Sequence, residues 1–435
     1  MARATREPVE LVIESLSHEG RGVARRDGKT VFVFGALPGE RVQARITRRR
    51  GSFDEAETLT VETPAPARID PRCAHFGVCG GCAMQHVDED FQLAHKQGVL
   101  LELLRHHAGL EPERVAAPIR GPQWGYRRKA RLGLKQVPRK GGVIVGFRER
   151  GAPFVTDCQH CDTLDPRVGG ILPALRALVD GLSIPDRIPQ IEVAVSDQRV
   201  VLVLRHLAPL DPADHAALAS AARELGVEFY LQSGGPATLT PLEGADRPLD
   251  YAVDGLTFEF APTDFIQVNP AINAQLVARA LDYLAPARSD RVADLFCGLG
   301  NFTLPVARRV GAVVGVEGEQ ALTARAAANA AANGIANADF AVADLSQPAA
   351  VAALALGEPN KLLLDPPRAG AAAVIEGVPL AGVERLVYVS CNPVTFARDA
   401  AVLRRTHGYV LVETGILDMF PHTAHVESIS LFVRR

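Results

Sequence analysis

The period of hydrophobic and polar positions changes along the chain. From about residue 8 to 63, short alternating runs ("VELVIESL", "GKTVFVFGAL", "ERVQARIT", "EAETLTVE") are divided by Gly-rich turns, the pattern of a small β-barrel. The Pro-rich "TPAPARIDP" reads as a linker. A helical stretch follows from about Phe91 to Ala108, with Leu100, Leu103 and Leu104 at helical spacing. Residues 120 to 262 read as strand-rich and mixed. From about 263, Ala-rich helices alternate with buried apolar strands, which predicts a doubly wound α/β domain. The expected organisation is a barrel over 1–66, a central α+β domain over 67–262 with a helical segment near 91–118, and an α/β domain over 263–435.

Composition supports several cores. The chain has 435 residues, 47% hydrophobic and 22% charged, too long for one ordinary core and too apolar for disorder. The opening "MARATREPVE" has no apolar h-region, and no run of about 18 uncharged apolar residues occurs, so a cytoplasmic protein with no membrane segment is expected. A monomer is expected as well. Seven cysteines in such a chain favour thiols, metal ligands or nucleophiles over a disulfide framework.

A net charge of -3 argues against a nucleic-acid partner, but the local charge reverses that reading. Residues 21 to 50 carry nine Arg and Lys against Asp27 and Glu40, and residues 120 to 150 carry ten against Glu149. The second run interleaves Trp124, Tyr126 and Phe147 with its cations. Cations neutralise phosphates and aromatic faces stack on unpaired bases, a mixture suited to looped RNA. The plain alternative is a solvated basic face.

The α/β domain holds the chemistry. In "RVADLFCGLGNF" a buried strand runs into Gly298-x-Gly300 and a helix start, bringing backbone close to a ligand. Nineteen residues after Gly298, the next strand ends in Glu317, placed to accept hydrogen bonds from ribose hydroxyls. The sixth position of the loop is Thr303, not the third glycine of a dinucleotide fingerprint, so a nucleoside without phosphates, such as S-adenosylmethionine, fits better than NAD. Further strands end in Asp344, in Asp365 of "KLLLDPPRAG" and, in "LVYVSCNP", at the lone Cys391. Ligands in open α/β sheets bind beyond the carboxyl ends of the strands, so these residues should rim one crevice.

A thiol beside a methyl donor suggests a substrate activated by nucleophilic addition. Carbon 5 of uracil is such a substrate: thiolate addition at carbon 6 makes carbon 5 nucleophilic, and a base must then remove the carbon 5 proton. Glu427, in "DMFPHTAHVESISLF", is available for that work. His422 and His425 flank it and are given no catalytic role; taken without context, Glu427 would more often be an ordinary surface carboxylate.

These segments, with "VGVEG", "VYVSCNPVTFARD" and "DMFPHTAHVE", resemble the motifs of RNA uracil-5 methyltransferases over most of the last 170 residues or so. The resemblance implies a Rossmann-like class I methyltransferase domain, Cys391 as nucleophile and Glu427 as general base. It implies contacts to S-adenosylmethionine from Gln267, Phe296, Asn301, Glu317, Asp344 and Asp365. Cys297 takes no role from it and reads as a small packed residue.

The remaining cysteines read as a metal site. Cys73-x5-Cys79-x2-Cys82, with a fourth sulfur from Cys158 or Cys161 in "DCQHC", suits zinc or an iron-sulfur cluster, and spacing does not choose between them. The family resemblance implies a 4Fe-4S cluster in the central domain with Cys161 as fourth ligand. "IESLSHEGRGVAR" and "VFVFGALPGERVQARI" resemble a TRAM domain, an OB-like RNA-binding barrel. Within the family, barrel plus cluster resembles the 23S ribosomal RNA branch, which makes 23S rRNA the expected partner by domain analogy. Beside this one stand the same chemistry on tRNA or on another rRNA uridine, and two readings of a different class. A radical S-adenosylmethionine enzyme resembles a C-x3-C-x2-C signature that is absent here, and a non-catalytic RNA-binding protein would have no use for Cys391 with Glu427.

Overall fold

The computed structural model describes residues 7–435; residues 1–6, the start of the segment read above for an export signal, lie outside the described residues. The chain divides into two compact units, one of residues 1–99, 148–156 and 420–425, the other of 100–147, 157–419 and 426–435.

The first unit contains a six-stranded sheet. In order across it run Val9–Val12, Arg41–Arg49, Phe53–Thr63, Lys29–Phe34, Gly22–Arg26 and Ser15–Leu16. Alternation sorts the residues: Val42, Ala44 and Ile46 of one strand turn inward to Leu11, Ala24, Val31 and Val33, while Arg41 and Arg45 at the alternate positions face water. Glu40 and Arg68 tie the end of this sheet to the segment that follows. The buried Glu40 carboxylate accepts from the Leu37 and Ala65 backbone N–H groups and from two nitrogens of Arg68.

The second unit carries two further sheets and a hairpin. One sheet, six-stranded, runs Leu239–Pro241, Glu228–Gln232, Val200–Arg205, Gln190–Val195, Lys129–Val137, Gly142–Gly146. The other has eight strands in the order Ala338–Val342, Ala312–Glu317, Arg291–Leu295, Lys361–Leu364, Arg385–Ser390, Glu427–Arg434, Tyr409–Leu417, Arg114–Val115. Its first five strands are mutually parallel, and Glu427–Arg434 enters antiparallel beside Arg385–Ser390. The central strands read as continuous apolar runs because helices cover both faces: Leu362, Leu363, Leu364, Leu386, Val387 and Val389 are all buried. The hairpin Leu249–Val253 and Leu256–Phe260 is stitched to the helix Gln320–Ala332 by Asn329 and Asn333, which bond the backbone of Glu259 and Thr257.

One expectation is corrected here. The α/β Rossmann-like domain is found, but the central domain is not organised around an iron-sulfur cluster: among the described residues no three His, Cys, Asp or Glu side chains gather into a group able to hold a metal ion. Cysteines close in sequence need not converge on one point. Cys73, Cys79 and Cys82 belong to the first unit, where the Cys79 sulfur accepts the Gly81 N–H at 3.4 Å. Cys158 and Cys161 belong to the second; Cys158 is buried, and the Cys161 sulfur lies 3.3 Å from the Thr163 hydroxyl.

Candidate active site

The carboxyl ends of five neighbouring strands of the eight-stranded sheet bear the expected site residues. After Leu295 the chain turns through Phe296, Gly298 and Gly300, all at positive φ (68°, 55° and 94°). Positive φ is natural for glycine and costly for phenylalanine, so the half-buried Phe296 is held there by its surroundings. Its N–H and that of Cys297 both donate to the Val316 carbonyl, at 2.9 and 3.1 Å. A Cβ on Gly300 would lie 2.5 Å from Leu304, whereas one on Gly298 would meet nothing within 4 Å. The loop is therefore packed from behind and open in front.

Glu317 fastens this loop to the next strand. One carboxylate oxygen accepts the Gly298 N–H at 3.1 Å, and the other accepts those of Gly318 and Glu319 at 2.7 and 3.1 Å. Asn301 is fixed by a reciprocal amide pair with Asn273, both bonds 2.9 Å, and by the Tyr251 hydroxyl at 3.0 Å. Asp344, past the end of Ala338–Val342, is exposed; hydrogen bonds from the Ser346 hydroxyl and N–H hold its carboxyl below the usual range. Gln267 is half-buried in the loop before the helix Pro270–Leu284, which Asn269 caps by accepting the Ile272 N–H.

Cys391 and Glu427 come together through strand pairing. Ser390 pairs with Ser428 at the end of an antiparallel ladder, so the next residue on each strand is the thiol on one side and the carboxylate on the other. Cys391 immediately precedes Asn392, whose side chain accepts the Val394 N–H and caps the helix Pro393–His407. A helix N-terminus favours a thiolate. The capping turn also holds the loop after Asp365: the Asn392 amide and the Thr395 hydroxyl donate to the Arg368 carbonyl, at 3.0 and 3.1 Å.

The electrostatics run against that helix end. Burial first, then the charges of Glu427 and Asp365, push the Cys391 thiol up to about 11, with Arg368 opposing. Asp365 is pushed up to about 8 by burial, Glu427 and Asp294. Asp294, fully buried, is pushed up to about 7 by burial against the stabilising Thr303 hydroxyl, with Glu317 adding to the rise. Its second oxygen, Oδ1, has no hydrogen-bond partner among the described residues. Two buried carboxyls, Asp294 and Asp365, are both driven toward their neutral forms, so a cation is the ligand that would relieve the site.

Electrostatic coupling links Cys391 to Glu427 and Asp365, Asp365 to Asp294, and Asp294 to Glu317. Among the described residues no hydrogen bond joins Asp344 or Gln267 to them. Sequence reasoning passed over Asp294, Asn273, Tyr251 and Arg368. Asp294 and Arg368 stood inside the motifs already singled out, whereas Tyr251 and Asn273 carry no local signal, since only folding brings them to Asn301.

The five parallel strands, the antiparallel strand beside them and the glycine loop define a class I methyltransferase fold. The family described as tRNA (Uracil-5-)-methyltransferase matches residues 243–435, and the TRAM domain matches residues 3–59. A relative from Alkalilimnicola ehrlichii, named 23S rRNA (uracil(1939)-C(5))-methyltransferase RlmD, is 54% identical over 99% of this chain and 98% of its own. One of the same name from Aromatoleum aromaticum is 53% identical over 97% of this chain and 99% of its own. The chain belongs to the RNA uracil-5 methyltransferase family. The fold likeness extends to the crystal structure of Pyrococcus abyssi tRNA (uracil-54, C5)-methyltransferase in complex with S-adenosyl-L-homocysteine, with a TM-score of 0.74, 21% identity and coverage of 98% of this chain and all of that one. Among the described residues no helix is long and apolar enough to cross a membrane.

Proposed function

We propose that the protein methylates carbon 5 of a uridine in 23S ribosomal RNA, using S-adenosyl-L-methionine. The observation that carries this is near-full-length similarity, above 50% identity, to two relatives named for that reaction, in a chain that pairs a thiol with a carboxylate at the strand ends. We assign barrel residues 1–66 and central residues 67–262 to holding RNA and 263–435 to catalysis. We take the protein to work as a monomer in the cytoplasm, where its substrate is, with no membrane partner.

The donor's chemistry fits the residues present. The open front of Gly298 admits a ligand to the backbone, and the acidic rim suits a molecule bearing a sulfonium and an ammonium. Gln267, Phe296, Asn301, Glu317, Asp344 and Asp365 would hold it, and when bound it supplies an electrophilic methyl group. The barrel and the basic run hold the RNA loop, and the target base leaves its stack to reach the crevice. Cys391 forms a bond to carbon 6 as the 5,6 double bond opens, leaving carbon 5 nucleophilic. Once carbon 5 is methylated, Glu427 accepts its proton, the double bond re-forms and the sulfur departs as leaving group.

The test is methyl transfer from labelled S-adenosylmethionine to unmodified 23S rRNA and to unmodified tRNA, with Cys391→Ala in parallel. Label as 5-methyluridine in 23S rRNA, lost in the variant, is the expected result. Label in tRNA alone would overturn the substrate, and label that survives in the variant would overturn the nucleophile.

A further inference from the structure

Two of the three aromatic side chains that the basic run interleaves, Tyr126 and Phe147, are not laid out for stacking. Tyr126 is buried, and the Phe147 ring carries the Arg127 guanidinium 5.9 Å from its centroid. An aromatic face is presented elsewhere, in the first unit. Phe154 is 65% exposed, on a short hairpin closed by the antiparallel bridge of Arg148 with Val155 and by the Glu149 N–H donating to the Phe154 carbonyl at 2.8 Å.

This hairpin is anchored. The Gly80 N–H donates to the Arg148 carbonyl and the Arg150 N–H to the Val78 carbonyl, both at 2.8 Å, and a Cβ on Gly80 would come within 2.8 Å of that Arg148 oxygen. The Arg150 guanidinium lies 3.6 Å from the centroid of Phe34 and pairs with Glu57 at 2.8 Å. Arg150 is thereby spent on holding the hairpin to the barrel strands. Arg148 is exposed, and among the described residues no ion pair engages its side chain.

An exposed phenylalanine on a fixed hairpin, beside an unengaged arginine, has the two elements of single-strand recognition: a face for a base and a charge for a phosphate. Val78, 55% exposed, adds one more apolar contact on the segment to which the hairpin is bonded. A protein partner would want contiguous apolar area, whereas here isolated apolar side chains stand among cations, which favours a polyanion carrying aromatic bases. We propose that the Arg148–Val155 hairpin is a stacking platform for an unpaired RNA base, with Phe154 beneath the base and Arg148 on an adjoining phosphate. The proposal rests on the RNA-methyltransferase reading and names a contact apart from the catalytic crevice residues.

The experiment measures binding of an unmodified 23S rRNA fragment by fluorescence anisotropy across a salt series, and methyl transfer to the same fragment, for the full chain and for Phe154→Ala, Phe154→Leu, Phe154→Trp and Arg148→Ala. Loss of one stacked base should weaken binding roughly tenfold or more in Phe154→Ala. Phe154→Leu should resemble alanine and Phe154→Trp should retain affinity, while kcat at saturating RNA is unchanged and KM rises. Arg148→Ala should lower the slope of log affinity against log salt by about one. Unchanged binding in Phe154→Ala, or full rescue by leucine, overturns the platform while leaving the methyltransferase reading intact. If the wild-type chain neither binds nor methylates the fragment, both fall together.

Discussion

Glu427 stands beside Cys391 across an antiparallel ladder, one residue beyond the Ser390–Ser428 pair. This proximity gives the carboxylate two opposed effects. Before substrate binds, its charge helps push the thiol up to about 11. In the proposed mechanism the same carboxylate accepts the proton that leaves carbon 5 after methyl transfer. Glu427→Gln should therefore raise the thiolate fraction while stopping turnover. Alkylation of Cys391 by iodoacetamide, followed against pH, should shift to lower pH. Methyl transfer should fall by about 10²- to 10⁴-fold, the usual worth of a general base, with a covalent protein–RNA adduct accumulating on denaturing gels. Loss of activity without adduct would move the base role to another residue.

Arg368 works in the other direction. It is the charge that opposes the rise at Cys391, and its loop is fastened to the turn that follows the thiol by Asn392 and Thr395. Arg368→Ala should raise the thiol further, whereas Arg368→Lys should restore most of the effect. A thiol near 11 gains about tenfold in thiolate per pH unit below that value. Alkylation of the wild-type chain without donor should thus climb steeply from pH 7 to 10, and the Arg368→Ala curve should lie several-fold below it. A pH-independent rate in both would remove the carboxyls' claim on the thiol.

How far the sequence was legible follows from the range of the interactions concerned. The motifs around Gly298, Glu317, Asp365 and Cys391 are local, each a strand end and the turn after it, and the parallel order of their strands puts those ends on one edge. Pairs such as Asn301 with Asn273 and Tyr251 join segments 28 and 50 residues apart and leave no local periodicity to read. The basic run showed the limit differently. Its composition was plain, but burial decides which aromatic faces are offered, and it hid Tyr126 while Phe154 faces water. The cysteine spacing misled as well, since among the described residues no three His, Cys, Asp or Glu side chains form a group able to hold a metal ion.

Glu40 and Arg68 make a second testable pair. Glu40 is fully buried, and burial pushes its carboxyl up, but the hydrogen bonds from Arg68, Ala65 and Leu37 overcome this and hold it below the usual range. Removing one partner of such a group strands the other, at a cost of about 3–5 kcal/mol. Glu40→Ala should lower the urea midpoint accordingly, and since Arg68 follows the linker, limited proteolysis near residues 64–68 should accelerate. Wild-type resistance in the variant would show that the pair is dispensable.

The same corner of the first unit contains a histidine that must stay neutral. His86 is 2% exposed, neither ring nitrogen has a hydrogen-bond partner among the described residues, and its ring lies 5.4 Å from that of Phe76. Burial, reinforced by the nearby Arg68 charge and partly offset by Glu40, pushes its pKa down to about 4. The unfolded chain binds this proton near 6.5, so stability is complete above that value and drains as pH falls toward 4. Between pH 7.5 and 5 the drain amounts to about 2 kcal/mol. His86→Phe keeps a ring against Phe76 and removes the proton site, so its urea midpoint should fall less than that of the wild type over this interval. The carboxyl of Glu40, held low, contributes its own loss at more acidic pH, below about 4.5, which separates the two. Equal acid sensitivity in both proteins between pH 7.5 and 5 would mean that His86 accepts a proton in the folded state.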